Sequence, residues 1–179
     1  AVWRKSRFTI TVNANGGIFQ DTRESYVQSQ ADAGSLFYFT SYSGRVYREG
    51  YTLLGWSVSS TATSPGVATN GYITVGYSDA TYYAVWQKST AVITFYGNGG
   101  LWGGNLQKRS VTFNVGDIVN FADYSANLAR SGYTLLGWST SSSATSAAWG
   151  PSETVAVGST NADYYAVWAK KNIGLFYWD

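Results

Sequence analysis

The chain has 179 residues, 12 basic and 10 acidic, with a formal net charge of +2 and no Cys, Met or His. This composition excludes a disulfide framework, ordinary zinc and copper sites, catalysis by a Ser–His or Cys–His pair, and the basic footprint of a DNA- or RNA-binding surface. Neither a cofactor nor a metal is expected.

No run of about 18 apolar residues exists, so insertion into a membrane is not expected either. The basic clusters Arg4-Lys5-Ser6-Arg7, Lys108-Arg109 and Lys170-Lys171 read as solvated linkers and loop tips. A weakly charged, Ser/Thr/Gly/Tyr-rich chain without thiols fits an extracellular or cell-surface location. Eight Trp, fifteen Tyr and eight Phe supply the core. Each buried Trp removes roughly 150–250 Å² from water, worth up to about 4–6 kcal/mol.

In chain order, Ala1-Val2-Trp3 matches the close of a motif met twice later, so residues 1–6 read as the end of a preceding repeat or an N-terminal strand. Ile10-Thr11-Val12-Asn13 alternates with period two and reads as a strand. Asn15-Gly16 then supplies the positive φ angles of a tight turn. A more polar strand is expected within residues 25–33, followed by Gly34 and a short apolar run over 36–39. Tyr42, Val46, Arg48 and Gly50 mark a short helix. Gly50-Tyr51-Thr52-Leu53-Leu54-Gly55-Trp56 is a strand with apolar bulk on both faces. Alternation puts Tyr51, Leu53 and Gly55 on one side and Thr52, Leu54 and Trp56 on the other, which reads as a central position. A Ser/Thr/Ala-rich loop over 57–70, a short strand at Ile73-Thr74-Val75 and the strand Tyr82-Tyr83-Ala84-Val85-Trp86 complete the unit.

The same order then returns. Ile93-Thr94, Asn98-Gly99-Gly100, the strand at 110–115, Gly116, and the apolar run at 118–121 come first. The helix follows, with Tyr124 and Leu128 on one face, Asp123 as N-cap, Arg130 near its end and Gly132 as its stop. Gly132-Tyr133-Thr134-Leu135-Leu136-Gly137-Trp138 repeats the earlier heptapeptide letter for letter, 82 residues on. Tyr164-Tyr165-Ala166-Val167-Trp168 closes the copy. Residues 7–88 are therefore the first repeat and 89–171 the second. Residues 172–179 are in register with the start of a following repeat, or serve as a C-terminal donor strand. The short connection from Trp86 to Ala91 predicts a semi-rigid link.

These motifs (Ile10 to Gly17, Gly50 to Trp56, Tyr82 to Trp86 and their second copies) resemble the internalin-type B-repeat, or Listeria–Bacteroides repeat, family. The resemblance covers residues 7–168. It implies an α+β, mostly β fold of two tandem β-grasp (ubiquitin-like) repeats, each a curved sheet holding one short helix. It also implies arrays in secreted or cell-surface proteins, used as stalks, spacers and adhesion modules, with no enzymatic activity to carry over. The chain departs from the pattern at Trp102-Gly103-Gly104 and Trp149-Gly150-Pro151, and in its weak second strand.

No enzyme is expected. The acids do not recur at matched positions: Asp79 faces Asn161, Glu49 faces Ser131, and Asp163 faces Thr81. Trp56, Trp138, Trp86 and Trp168 hold fixed strand positions and read as core. Trp102, Trp149 and Trp178 do not recur, so together with Leu175 and Phe176 they form the expected interaction surface. Arg48 and Arg130 are expected to stack on a ring or to satisfy helix-end carbonyls. The primary expectation is a non-catalytic tandem-repeat module, a stalk, spacer, adhesin segment or filament subunit. Its partners would be neighbouring repeats or copies of itself, the apolar 175–178 segment being donated to the next copy's sheet. The alternative is a carbohydrate- or receptor-binding module that takes a glycan or a host surface protein on its loop aromatics.

Overall fold

The computed structural model describes residues 6–171. The chain divides between Ser89 and Thr90 into two compact units, both mostly β. The first contains β1 (Arg7–Asn13), β2 (Ile18–Phe19), β3 (Tyr26–Asp32), β4 (Leu36–Tyr38), α1 (Thr40–Ser43), β5 (Val46–Tyr47), β6 (Tyr51–Ser57), β7 (Val67–Ala68), β8 (Tyr72–Thr74) and β9 (Ala80–Lys88). The second contains β10 (Thr90–Tyr96), β11 (Leu101–Trp102), β12 (Lys108–Asn114), β13 (Ile118–Asn120), α2 (Ala122–Ser125), β14 (Leu128–Ala129), β15 (Tyr133–Ser139), β16 (Thr154–Ala156) and β17 (Ala162–Lys170).

The main sheet of the first unit runs β3-β1-β9-β6-β7, and that of the second runs β12-β10-β17-β15. In each, the first strand pairs antiparallel with the second long strand and parallel with the last, Ile10 to Asn13 lying beside Ala80 to Tyr83. Ile93 to Tyr96 lies beside Ala162 to Tyr165 in the same way. Two short ribbons, β2-β5 with β4-β8 and β11-β14 with β13-β16, supplement each sheet.

The Gly-Tyr-Thr-Leu-Leu-Gly-Trp strand is not central. In the second unit it ends the sheet, and in the first only the two-residue β7 lies outside it. Its alternation also breaks. The register against the last strand skips from Leu53 to Gly55 and from Leu135 to Gly137, a bulge that lets one residue pass unpaired. Leu53 and Leu135 therefore join Trp56 and Trp138 against the core, instead of Leu54 and Leu136. Gly55 and Gly137 carry φ of +150° and +143°. A Cβ on Gly137 would lie 2.0 Å from the Trp149 carbonyl oxygen, so the bulge requires glycine.

Each helix is a single turn. Leu128 and Val46, expected on the helix, lie in β14 and β5. The extended backbone of Ala126 ends α2 after one turn, Asn127 follows at φ +59°, and Asp123 makes no cap. Instead Asn120 Oδ1 accepts the Ala122 N–H at 3.0 Å. Such a turn gains little from its own hydrogen bonds, so its value lies in what it positions.

That is the buried indole. Trp56 and Trp138 are 0% exposed. Trp56 Nε1 donates to Ser43 Oγ (2.9 Å), which donates to the Thr69 carbonyl (2.6 Å). Trp138 Nε1 donates to Ser125 Oγ (3.0 Å), which donates to the Pro151 carbonyl (2.9 Å). The helix thus places one serine between core tryptophan and long loop, and no buried side-chain polar atom among the described residues lacks a partner. Around Trp138, Phe95 and Phe121 pack edge-on and stacked, at 5.5 and 5.9 Å.

Three expectations follow. Ser125→Ala leaves an indole N–H unsatisfied and frees the loop, so it should cost about 1–3 kcal/mol in denaturant unfolding. Gly137→Ala should cost more than about 2 kcal/mol, because the opposing atom is backbone. Burial pushes the phenols of Tyr82, Tyr124 and Tyr164 above 10.0; at Tyr124, Arg109 opposes that rise and Asp123 adds to it. The folded state then holds protons that the unfolded chain releases. Stability should be flat below about pH 9 and fall as pH rises past about 10, as thermal melts across that range will report.

Candidate functional site

Two residues of the expected interaction surface, Trp102 and Trp149, are drawn into the core of the second unit. Trp102 is buried, 5% exposed, and belongs to the second core. Its Nε1 donates to the Tyr124 carbonyl at 2.6 Å, and its ring stacks on Trp138 at 6.3 Å. It occupies in β11 the place of the buried Phe19 in β2, two residues after the last glycine of Asn-Gly-Gly in both copies. Trp149 also packs on the core, tilted on Phe121 at 5.9 Å, and bridges Trp138 where Val67 pairs with Trp56. Both tryptophans are enlarged core positions, which is why they do not recur as tryptophan. Leu175, Phe176 and Trp178 lie outside the described residues.

Other residues singled out in the sequence also have structural duties. Asp79 Oδ1 accepts the Thr9 N–H at 2.7 Å, and Asn161 Oδ1 accepts the Val92 N–H at 2.8 Å. The unmatched acid is thus one of two interchangeable oxygen acceptors. No three acidic side chains gather among the described residues. Arg48 and Arg130 each stack at 3.9 Å on Tyr51 and Tyr133. They also donate to the Asn15 and Asn98 carbonyls at 3.4 Å. Lys108 and Arg109 lie in β12 rather than a loop tip, with Arg109 over the Tyr124 ring at 5.1 Å. Lys170 ends β17.

The Asn-Gly-Gly turn is the most tightly built exposed feature of each unit. Asn15 and Asn98 sit at φ +48° and +47°, in the left-handed region that asparagine tolerates. The Asn98 side-chain amide donates to the Ser142 and Ala166 carbonyls at 3.0 and 2.9 Å, and Asn15 does the same to Ser60 and Ala84. Trp86 and Trp168 donate to the Ala14 and Gly97 carbonyls at 2.8 and 2.9 Å. Turn, long loop and last strand are locked together.

Beside the second of these turns lies a cleft of about 470 Å³, lined by Tyr96 and Tyr165, the segment Asn98 to Leu101, and Gln107. The Tyr96 and Tyr165 rings are stacked, 4.7 Å apart and 13° from parallel. Desolvation first, then the Asp163 carboxylate and Tyr96, push the Tyr165 phenol upward; like any phenol it is a hydrogen-bond donor at neutral pH. Nothing lining the cleft carries a charge. Its lining offers phenols, amides and backbone polar groups. The sequence signal was available in the comparison of copies, since Tyr96 stands where the first repeat has Asn13.

Among the described residues no helix is long and apolar enough to cross a membrane. No curated protein matches the chain. The family model for the Listeria–Bacteroides repeat domain matches residues 8–85 and again residues 92–167. With the same order of the four long strands and the same buried hydrogen-bond relay in both matched segments, the chain is a member of the Listeria–Bacteroides repeat domain family carrying two tandem copies.

Proposed function

We propose that the chain is a non-catalytic, tension-bearing module of a secreted or cell-surface protein, serving as a stalk, spacer, adhesin segment or filament subunit. Its partners are then neighbouring repeats or copies of itself. We further infer that each unit is a β-grasp domain. The sheet order, with parallel first and last strands side by side and a helical turn before the third long strand, supports that fold.

The observation that carries the reading is the parallel pairing of β1 with β9 and of β10 with β17. When a unit is pulled at its two ends, tension enters at the start of its first strand and leaves at the end of its last. Because these strands are parallel neighbours, they slide along each other, and the ladder bonds between them resist together. Antiparallel neighbours pulled at adjacent ends would open one bond at a time. The Trp86 and Trp168 indoles, each bonded to the carbonyl that follows the first strand, tie the same two elements again.

Single-molecule pulling at the chain ends should therefore give two unfolding events, each releasing roughly 270 Å of extended chain. Pulling the first unit between Tyr51 and Lys88, which are antiparallel partners, should need clearly less force. Equal forces in the two directions would remove the mechanical reading.

A further inference from the structure

We propose that the cleft beside Tyr96 and Tyr165 is a binding site for a neutral sugar residue of a glycan. This is independent of the mechanical reading. It also places the contact elsewhere than the loop tryptophans, which the fold consumes.

The argument rests on where the copies differ at accessible positions outside the buried core. The first repeat carries Asn13 and Ser25 at the positions of Tyr96 and Gln107. The correspondence is fixed by matched backbone bonds, Ala14 N–H to the Ser25 carbonyl and Gly97 N–H to the Gln107 carbonyl, both 2.8 Å. In the first unit the Asn13 side chain is used internally, its Oδ1 accepting the Asn15 N–H at 2.8 Å. Its strand partner Tyr83 consequently has no phenol to stack on at that place. In the second unit both positions have become larger and remain accessible, Tyr96 half-buried and Gln107 exposed. A core requirement would have buried them, as it buried Trp102.

The chemistry of the lining selects the ligand class. A volume of about 470 Å³ falls within the range of roughly 300–1,000 Å³ typical of small-ligand sites. Stacked phenols offer flat apolar faces suited to the C–H side of a pyranose ring, with polar hydroxyls at their edges. The Gln107 amide offers donor and acceptor together, which matches a hydroxyl that is itself both. The lining side chains themselves are uncharged, and the charges beside them, Arg130 against Gly99 and Asp163 near Tyr165, are of opposite sign, which favours a neutral ligand over phosphates, nucleotides and acidic sugars. Preorganisation is provided by the turn. Asn98 is held by two carbonyls and by Arg130, so the part of the lining that the turn supplies needs little ordering on binding.

The test uses the whole chain against cellotriose, chitotriose, maltotriose and mannotriose, each at about 1 mM, read by saturation-transfer NMR and by titration. At least one of these should bind. Tyr96→Asn, which installs the residue the first repeat carries, and Gln107→Ala should each weaken that binding by about tenfold or more while the melting temperature stays unchanged. Tyr38→Ala, at an exposed tyrosine of the first unit, should leave it intact. Binding of none of the four sugars overturns the proposal, as does binding that survives both cleft variants or is lost equally in Tyr38→Ala.

Discussion

Each repeat depends on one buried relay, in which an indole N–H donates a hydrogen bond to a serine hydroxyl that in turn donates to a loop carbonyl. A tryptophan at the centre of an aromatic core brings a large apolar gain and one polar atom that must be satisfied. Supplying the acceptor from a one-turn helix solves two problems together. The helix has too few internal bonds to persist alone, and the long loop is mostly Ser, Thr and Ala apart from its one core anchor, Val67 or Trp149. The serine fastens both to the most deeply buried side chain of the unit. The glycine bulge before the tryptophan serves the same end, because it turns the indole inward and lets the loop backbone approach.

The Asn-Gly-Gly turn complements this relay with a second set of bonds to the long loop and the last strand. Its asparagine bonds the long loop and the last strand, its flanking carbonyls accept the second conserved-in-both-copies indole and the arginine, and that arginine lies flat on a tyrosine. Few charges are needed for such a construction. Neutral amide, hydroxyl and indole donors make most of the tertiary hydrogen bonds, and the ion pairs of Arg7 with Asp32 and Arg45 with Asp21 lie at the surface. Exposed pairs contribute little to stability.

Strand positions and turn chemistry were legible because they are local. Alternation located β1, β10 and β12, and Asn-Gly foretold the positive φ angles. The helix was drawn too long because Tyr124 and Leu128 stand four apart and both face the core, which is the helical signature. They reach the core from different elements, separated by a residue in the left-handed region. The bulge was invisible because period-two reasoning has no way to count an unpaired residue. Trp102 and Trp149 were misplaced by treating identity as the mark of a core position. A core asks for volume and shape, and a phenylalanine and a valine met that demand in the first copy. The cleft tyrosines were the opposite case, a change at an accessible position that the core did not require.

Core pairs that differ between the copies have a further consequence. Adjacent domains with near-identical strands are prone to trade them during folding, and the heptapeptide strand here is the same in both. What surrounds it is not the same. Phe19, Val67 and Val12 in one copy stand against Trp102, Trp149 and Phe95 in the other. A segment captured by the wrong copy would force an indole into a valine-sized space or leave a void where an indole belongs. Mismatched interiors thus act as a proofreading device, keeping two look-alike neighbours from becoming entangled.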